Sequence, residues 1–498
     1  MLAGRPQSVW NQNVPITDHA QLSGEVEVDV AVVGGGIAGV TTALLLKLSG
    51  QRVALLEARR VGRQVTGHSN AKITSLHSLI YADLITRLGE DAARLYGEAN
   101  EAAIRRIAAW VEEREIDCGF ERRPAYTFTQ RPDRVAQIEA EYEAAIQLGL
   151  PASLQGDIGL PYPVQSAIRF DDQAQFNPTA YVRDLAASVP GDQSFLFERT
   201  RVLEVEAGDP CAVRTESGAV RARDVVLATN LPVITEGAFH QKAAPRAHLV
   251  VAARIEPERA PGGMYLSIDP PTHSVRTAAS DGGRILIVVG ESFAPGHVQD
   301  TAAMYRTLRA FARDRFGVDD FVAQWANMDY DSQDRLPFIG RASPAHDHLW
   351  VATGFCSWGI TGGTVAGMVL ADALAGRDNP WAGLFDARRE PGEAENRGQP
   401  PMRAEETPQP RQGSVDQLGK GEAAIFQNGE DEEPVAAYRD DRGELHVVAG
   451  TCTHLGCQVQ WNNGDRTWDC HCHGSTFEPD GAVIHGPAIR NLARVDAK

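Results

Sequence analysis

Four of the seven cysteines, Cys452, Cys457, Cys470 and Cys472, crowd into one short stretch near the C-terminus, with His454 and His473 among them. Thiolates and neutral imidazoles at this density are metal-ligand chemistry. Cys-x-His and Cys-x-Cys-His make two half-sites joined by a hairpin-length insert. That spacing suits zinc in a Cys2His2 tetrahedron or a mixed-ligand [2Fe–2S] centre. Cys118, Cys211 and Cys356 are scattered and read as small buried hydrophobes. Seven cysteines in 498 residues are too few for a disulfide framework.

A second constellation lies near the N-terminus, where Gly34-Gly35-Gly36-Ile37-Ala38-Gly39 satisfies GxGxxG. Gly34 permits a tight turn, Gly36 admits a pyrophosphate close to the backbone, and Gly39 lets helix and strand pack closely. A helix N-terminus adds unpaired N–H groups and a positive dipole end. Glu57, near the usual ~20-residue offset, is placed to accept hydrogen bonds from a ribose 2′-OH.

These groups need elements to hold them. Residues 25–33 alternate and then turn apolar, predicting an interior strand. A helix over 37–48 and a strand over 52–57 complete a β-α-β unit. Residues 85–150 carry helical spacing for two or three amphipathic helices. Residues 125–129, 225–228 and 284–289 read as strands, and 179–188 and 301–316 as helices. Residues 390–418 hold five prolines and almost no large apolar side chain, which predicts a linker. Composition is globular, with 43% hydrophobic and 23% charged residues. The net charge of −18 argues against nucleic acid and anionic lipid as partners. No signal peptide is evident. The uncharged run 349–371 is interrupted by glycines, so it reads as strand, loop and buried helix, with no integral membrane span. A cytoplasmic location follows as the expectation.

Six segments together resemble the FAD oxidoreductases of the D-amino-acid-oxidase/glycine-oxidase-like (DAO) family over roughly residues 25–390. They are the glycine fingerprint with Glu57-Ala58; Val65–Lys72; Phe176-Asn177-Pro178; Val226–Asn230; Asp334–Gly340; and Val351–Phe355 with Trp358–Thr361. The C-terminal motifs, with Phe477-Glu478-Pro479-Asp480-Gly481 and Gly486-Pro487-Ala488, resemble a Rieske [2Fe–2S] domain over 415–498, favouring iron–sulfur over zinc.

The expected fold is therefore an α/β Rossmann-type FAD-binding domain with a mixed-sheet α+β substrate domain, plus a small all-β Rieske domain. FAD-binding segments are expected over about 25–85, 150–235 and 325–390, and the substrate domain over about 86–149 and 236–324. A linker over 391–414 precedes the Rieske domain. Expected FAD contacts are Gly34, Gly36, Ile37, Ala38 and Gly39; Glu57, Ala58 and Arg59; Thr66, Gly67, His68, Ala71 and Lys72; Val202; Ala228, Thr229 and Asn230; and Gly354, Phe355, Trp358, Gly359, Ile360 and Thr361. His68 falls where some relatives attach flavin covalently, though packing beside the flavin is the plainer reading.

By the same resemblance Cys452 and Cys470 ligate one iron and His454 and His473 the other, while Cys457 and Cys472 form a disulfide. Neutral imidazoles in place of two thiolates raise such potentials to about −150 to +300 mV. Ser475 is expected to donate to a cluster sulfide. Phe477 stands where high-potential relatives carry a tyrosine, so the potential should lie below that of quinol-oxidising Rieske proteins. His471 replaces a usual proline. Amino-acid-oxidising relatives place an arginine before Asp-x-x-Pro, whereas this chain has Asp329.

The resemblance implies a dehydrogenase that oxidises a small amine-like substrate by hydride transfer to FAD. Single electrons would then pass through the cluster to or from a ferredoxin-, cytochrome- or quinone-type partner. The alternative is a redox-sensing electron-transfer protein without catalysis. No general base stands out: His68, His77, Tyr126, Tyr265 and Tyr330 are candidates only.

Overall fold

The computed structural model describes residues 7–280, 282–298, 300–391, 409–427 and 433–495. Gly24–Val33 (β1) is buried continuously from Val30 to Val33, because it has strand neighbours on both edges and cover on both faces. Ile37–Leu48 (α1) crosses to Val53–Leu56 (β2), which pairs with β1 in parallel. Gly218–Leu227 (β3) pairs with the other edge of β1, also in parallel. Phe195–Phe197 extends the sheet beyond β2, and His346–Thr353 extends it beyond the C-terminal half of β3, giving eight strands in all.

The expected helices over 85–150 are Tyr81–Leu88, Glu90–Glu113 (α2) and Val135–Gln147. A second eight-stranded sheet centres on Ala243–Ile255 (β4), flanked antiparallel by Gly283–Phe293 and Phe321–Ser332 (β5). Thr301–Phe316 (α3) packs on this sheet, N-capped by the Asp300 side chain, which accepts from Ala303 N at 2.8 Å. Gly359–Leu374 (α4) lies against α1. A Cβ added at Gly367 would stand 2.4 Å from Thr41 Cγ2, so only glycine permits that approach.

Two expected boundaries need correction. Strands 152–155 and 166–170, expected with the FAD-binding segments, pair with 125–129 in the second sheet. Ala167, Ile168 and Phe170 are buried there against the fully buried strand 125–129, whose edge is open to them. Helix α2, expected with the substrate domain, packs on α4, because Tyr96, Ala99, Ala103 and Ile107 form an apolar stripe at helical spacing.

The C-terminal unit is all β. A three-stranded sheet spans 423–449, and Val459–Asn462 (β6), Thr467–Cys470 (β7), Thr476–Phe477 (β8) and Val483–His485 (β9) form a four-stranded antiparallel sheet. Most of the expected linker lies outside the described residues. Its end, however, belongs to this unit, since Arg411 N donates to Ile425 O at 2.8 Å.

Candidate functional site

The glycine turn after β1 and the start of α1 open into a cavity of about 2360 Å3 between the two large sheets. That is more than twice the roughly 1,000 Å3 at the top of the usual small-ligand range, so it holds a dinucleotide and a substrate together. A Cβ at Gly39 would stand 1.9 Å from Gly34 O, which explains why this position must lack a side chain. Glu57 is buried, with Oε2 accepting from Gly35 N at 2.8 Å and Oε1 from Arg59 N at 2.7 Å. Burial raises its pKa while these N–H groups oppose the rise. Glu57 also lines the cavity, and its carboxylate has further acceptor capacity.

Of the expected FAD contacts, Gly34, Gly36, Ile37, Ala38, Glu57, Ala58, Arg59, Thr66, Ala71, Lys72, Val202, Ala228, Thr229, Asn230, Phe355, Trp358, Gly359 and Ile360 line this cavity. Gly39, Gly67, His68, Gly354 and Thr361 do not line it. His68 Nδ1 meets Gln64 O at 2.8 Å, and its carbonyl accepts from Trp325 Nε1, so the residue braces the loop. The donor set and the space fit FAD.

None of the five base candidates lines the cavity. His77 stacks on Trp358 and bonds Thr74 O, with burial pushing it down to about 3. Tyr265 donates to Ile158 O at 2.9 Å and stacks on Tyr126. Tyr330 donates to His473 O at 2.8 Å.

Among the titratable groups that line the cavity, Asp329, Lys72 and His248 are shifted by burial. Asp329 is held by N–H groups of Tyr330 at 2.8 Å and Ser357 at 2.6 Å, and burial pushes it up to about 7. Lys72 donates to Tyr265 O at 2.8 Å; burial and then Arg276 push it down to about 7. His248 meets Ser357 Oγ at 3.0 Å, with burial lowering it to about 4. Asp331, on the same strand as Asp329, pairs with Arg246. Buried Arg276 donates to the carbonyls of Asn70 and Ala71, fixing the loop beside the glycine turn, and lies over Trp10 at 4.9 Å. His248, Arg276 and Trp10 come from distant segments and carry no local motif. Asp329 was visible only as a departure from a family pattern.

In the C-terminal unit, Cys452 and Cys470 are buried free thiols, and Cys457 and Cys472 form a disulfide with Cα atoms 6.4 Å apart. The rings of His454 and His473 stand 4.9 Å apart, and both Nδ1 atoms are buried without a hydrogen-bond partner. Orphaned buried imidazole nitrogens in the same unit as buried free thiols are what a metal centre requires. Burial lowers both histidines to about 4, keeping them in the neutral, ligating form. Ser475, fully buried, accepts from Ala488 N at 3.0 Å, and His471 Nδ1 meets Gln458 O at 3.1 Å. The four expected ligands and the disulfide fit a [2Fe–2S] cluster.

The two sites adjoin. His471, His473, His485 and Gly486 line the same cavity as the glycine turn. Asn230 Nδ2 stands 3.3 Å from His485 Nε2, and His240 faces the His473 ring at 5.3 Å.

Comparison with known proteins agrees with this geometry. Residues 29–373 match the FAD dependent oxidoreductase family, and residues 411–496 match the Rieske [2Fe-2S] domain. The putative Rieske 2Fe-2S iron-sulfur protein YhfW of Bacillus subtilis (strain 168) is 34% identical over 99% of this chain and 98% of its own length. A glycine oxidase from Geobacillus kaustophilus superposes with a TM-score of 0.62 at 18% identity, covering 74% of this chain and 100% of that one. An L-proline dehydrogenase from P. horikoshii gives 0.60 at 19% identity, covering 74% and 98%. At such identities these two structures speak for the fold alone. No helix among the described residues is long and apolar enough to cross a membrane.

Proposed function

The chain belongs to the FAD dependent oxidoreductase family and carries a Rieske [2Fe-2S] domain at its C-terminal end, and from that premise we propose that it oxidises a small amine-like substrate and delivers the electrons singly to an external acceptor. Bound FAD supplies a two-electron hydride acceptor and the cluster a one-electron carrier. One observation carries the relay: a single cavity is bounded by the glycine turn at one end and by the His473 loop at the other.

The residues assigned to FAD are those expected from the motifs, of which Gly39, Gly67, His68, Gly354 and Thr361 do not line the cavity. Cys452, Cys470, His454 and His473 hold the cluster, and Ser475 tunes it. Amine chemistry is supported by Asp329, whose carboxylate lines the cavity without a cationic side chain bonded to it. It can accept a proton from a substrate ammonium, leaving the neutral amine that gives up hydride. An anionic substrate would instead meet Asp329 unfavourably. The acceptor is of ferredoxin, cytochrome or quinone type.

The test is anaerobic mixing of the holoprotein with a panel of amines and imines. Flavin bleaching followed by cluster reduction is expected from at least one amine. A protein whose flavin responds to dithionite but to no amine would be the redox-sensing alternative.

A further inference from the structure

We infer that the Rieske domain is a fixed wall of the flavin cavity, seated through His485 and Tyr330, and discharges its electrons without leaving that seat. This rests on the relay reading above but adds where the cluster domain stands during turnover.

The seat has two separate patches. At the cavity, buried Tyr330 on β5 donates to His473 O at 2.8 Å and contacts Gly486 O at 3.4 Å. His485 on β9 stacks on the Tyr330 ring at 6.4 Å and meets Asn230, one of the residues beside the glycine turn. Gly474 leaves no room for a side chain, since a Cβ there would lie 2.7 Å from Met328 Sδ.

The second patch is the N-terminus of α3. Buried Thr301 Oγ1 bonds the side chains of Asn462 and Asn463, and Gly464 N donates back to Thr301 Oγ1 at 2.8 Å. Asn463 Nδ2 donates to Asp300 Oδ1 at 3.0 Å, and buried Tyr305 donates to Asp465 Oδ1 at 2.8 Å. A rigid domain held at two patches cannot pivot about either one alone. Swinging it away would break both polar sets and open the cavity to water, which the site gains by excluding.

His485 and Tyr330 are positioning residues here. With both groups bound, each crossing would take one electron from the flavin to the cluster, and the external acceptor would take that electron in turn.

The seat can be locked covalently. Exposed Asp300 and Asn463 meet across the seat at 3.0 Å, so Asp300→Cys with Asn463→Cys in the full-length holoprotein can be joined by a short bismaleimide. Crosslink yield is read by mobility on a non-reducing gel. The flavin is photoreduced with 5-deazaflavin, so no substrate is involved and an error in the substrate class leaves the result readable. Ferricytochrome c is then mixed in, and reoxidation is followed at the cluster absorbance.

Near-complete crosslinking with a reoxidation rate within twofold of the uncrosslinked form is expected. A drop of tenfold or more on crosslinking, or failure of the pair to crosslink in a protein with full cofactor content, would overturn the fixed seat. His485→Ala supplies a second readout. FAD release, followed by fluorescence, should quicken at least fivefold with the cluster absorbance intact, and an unchanged release rate would remove His485 from the wall. The crosslink decides even where His485→Ala fails to fold.

Discussion

Asp329 is protonated below about 7 and anionic above it. A proton acceptor must be anionic, so kcat should rise with pH through about 7 and then level. Asp329→Asn should abolish that limb and slow turnover by about 10²–10⁴-fold, measured as pH profiles of kcat on the best amine. Lys72 shifts into the same range, so Lys72→Met serves as the control and should keep the limb. At the cluster, Ser475→Ala should remove the hydrogen bond that the Rieske resemblance assigns to a sulfide, worth about 1.5 kcal/mol to the reduced state, and lower the potential by about 60 mV in voltammetry. The native potential should itself lie below the quinol-oxidising range, because Phe477 is fully buried and brings no hydroxyl. The candidate cluster ligands stand out in sequence because their spacing is local. His248 and Arg276 do not, because three strands and a loop must assemble before either has a role.

Helix packing carries the next prediction. Gly363 and Gly367 let α4 lie directly on α1, whose N-terminus faces the cavity. Gly367→Leu forces the pair apart at a cost of about 1–3 kcal/mol. It should lower both the Tm and the FAD-to-protein ratio, read by calorimetry and absorbance. The sequence made α1 and α3 readable to the residue, the first through the glycine turn before it and the second through its helical stretch. It misled for 152–170 because a short strand carries no mark of which sheet will accept it. Pairing there is settled by the open edge of a strand far upstream.

Among the described residues, three apolar cores lie within 9–387 and two more form from the C-terminal unit, with hydrogen bonds joining the two parts. The overall division was legible from the proline-rich break and the clustered cysteines. The seat was not, because Tyr330, Thr301 and Asn463 look like ordinary polar residues until the chain folds back. That shared wall also imposes an order of assembly. The nucleotide-binding part leaves the ribosome first with its cavity open on one side, and the last hundred or so residues close it. Flavin therefore belongs inside before the cluster domain seats, so maturation of the second prosthetic group seals in the first. FAD added to a cluster-loaded, flavin-free chain should accordingly enter several-fold more slowly than into a chain lacking the cluster, as stopped-flow fluorescence would record.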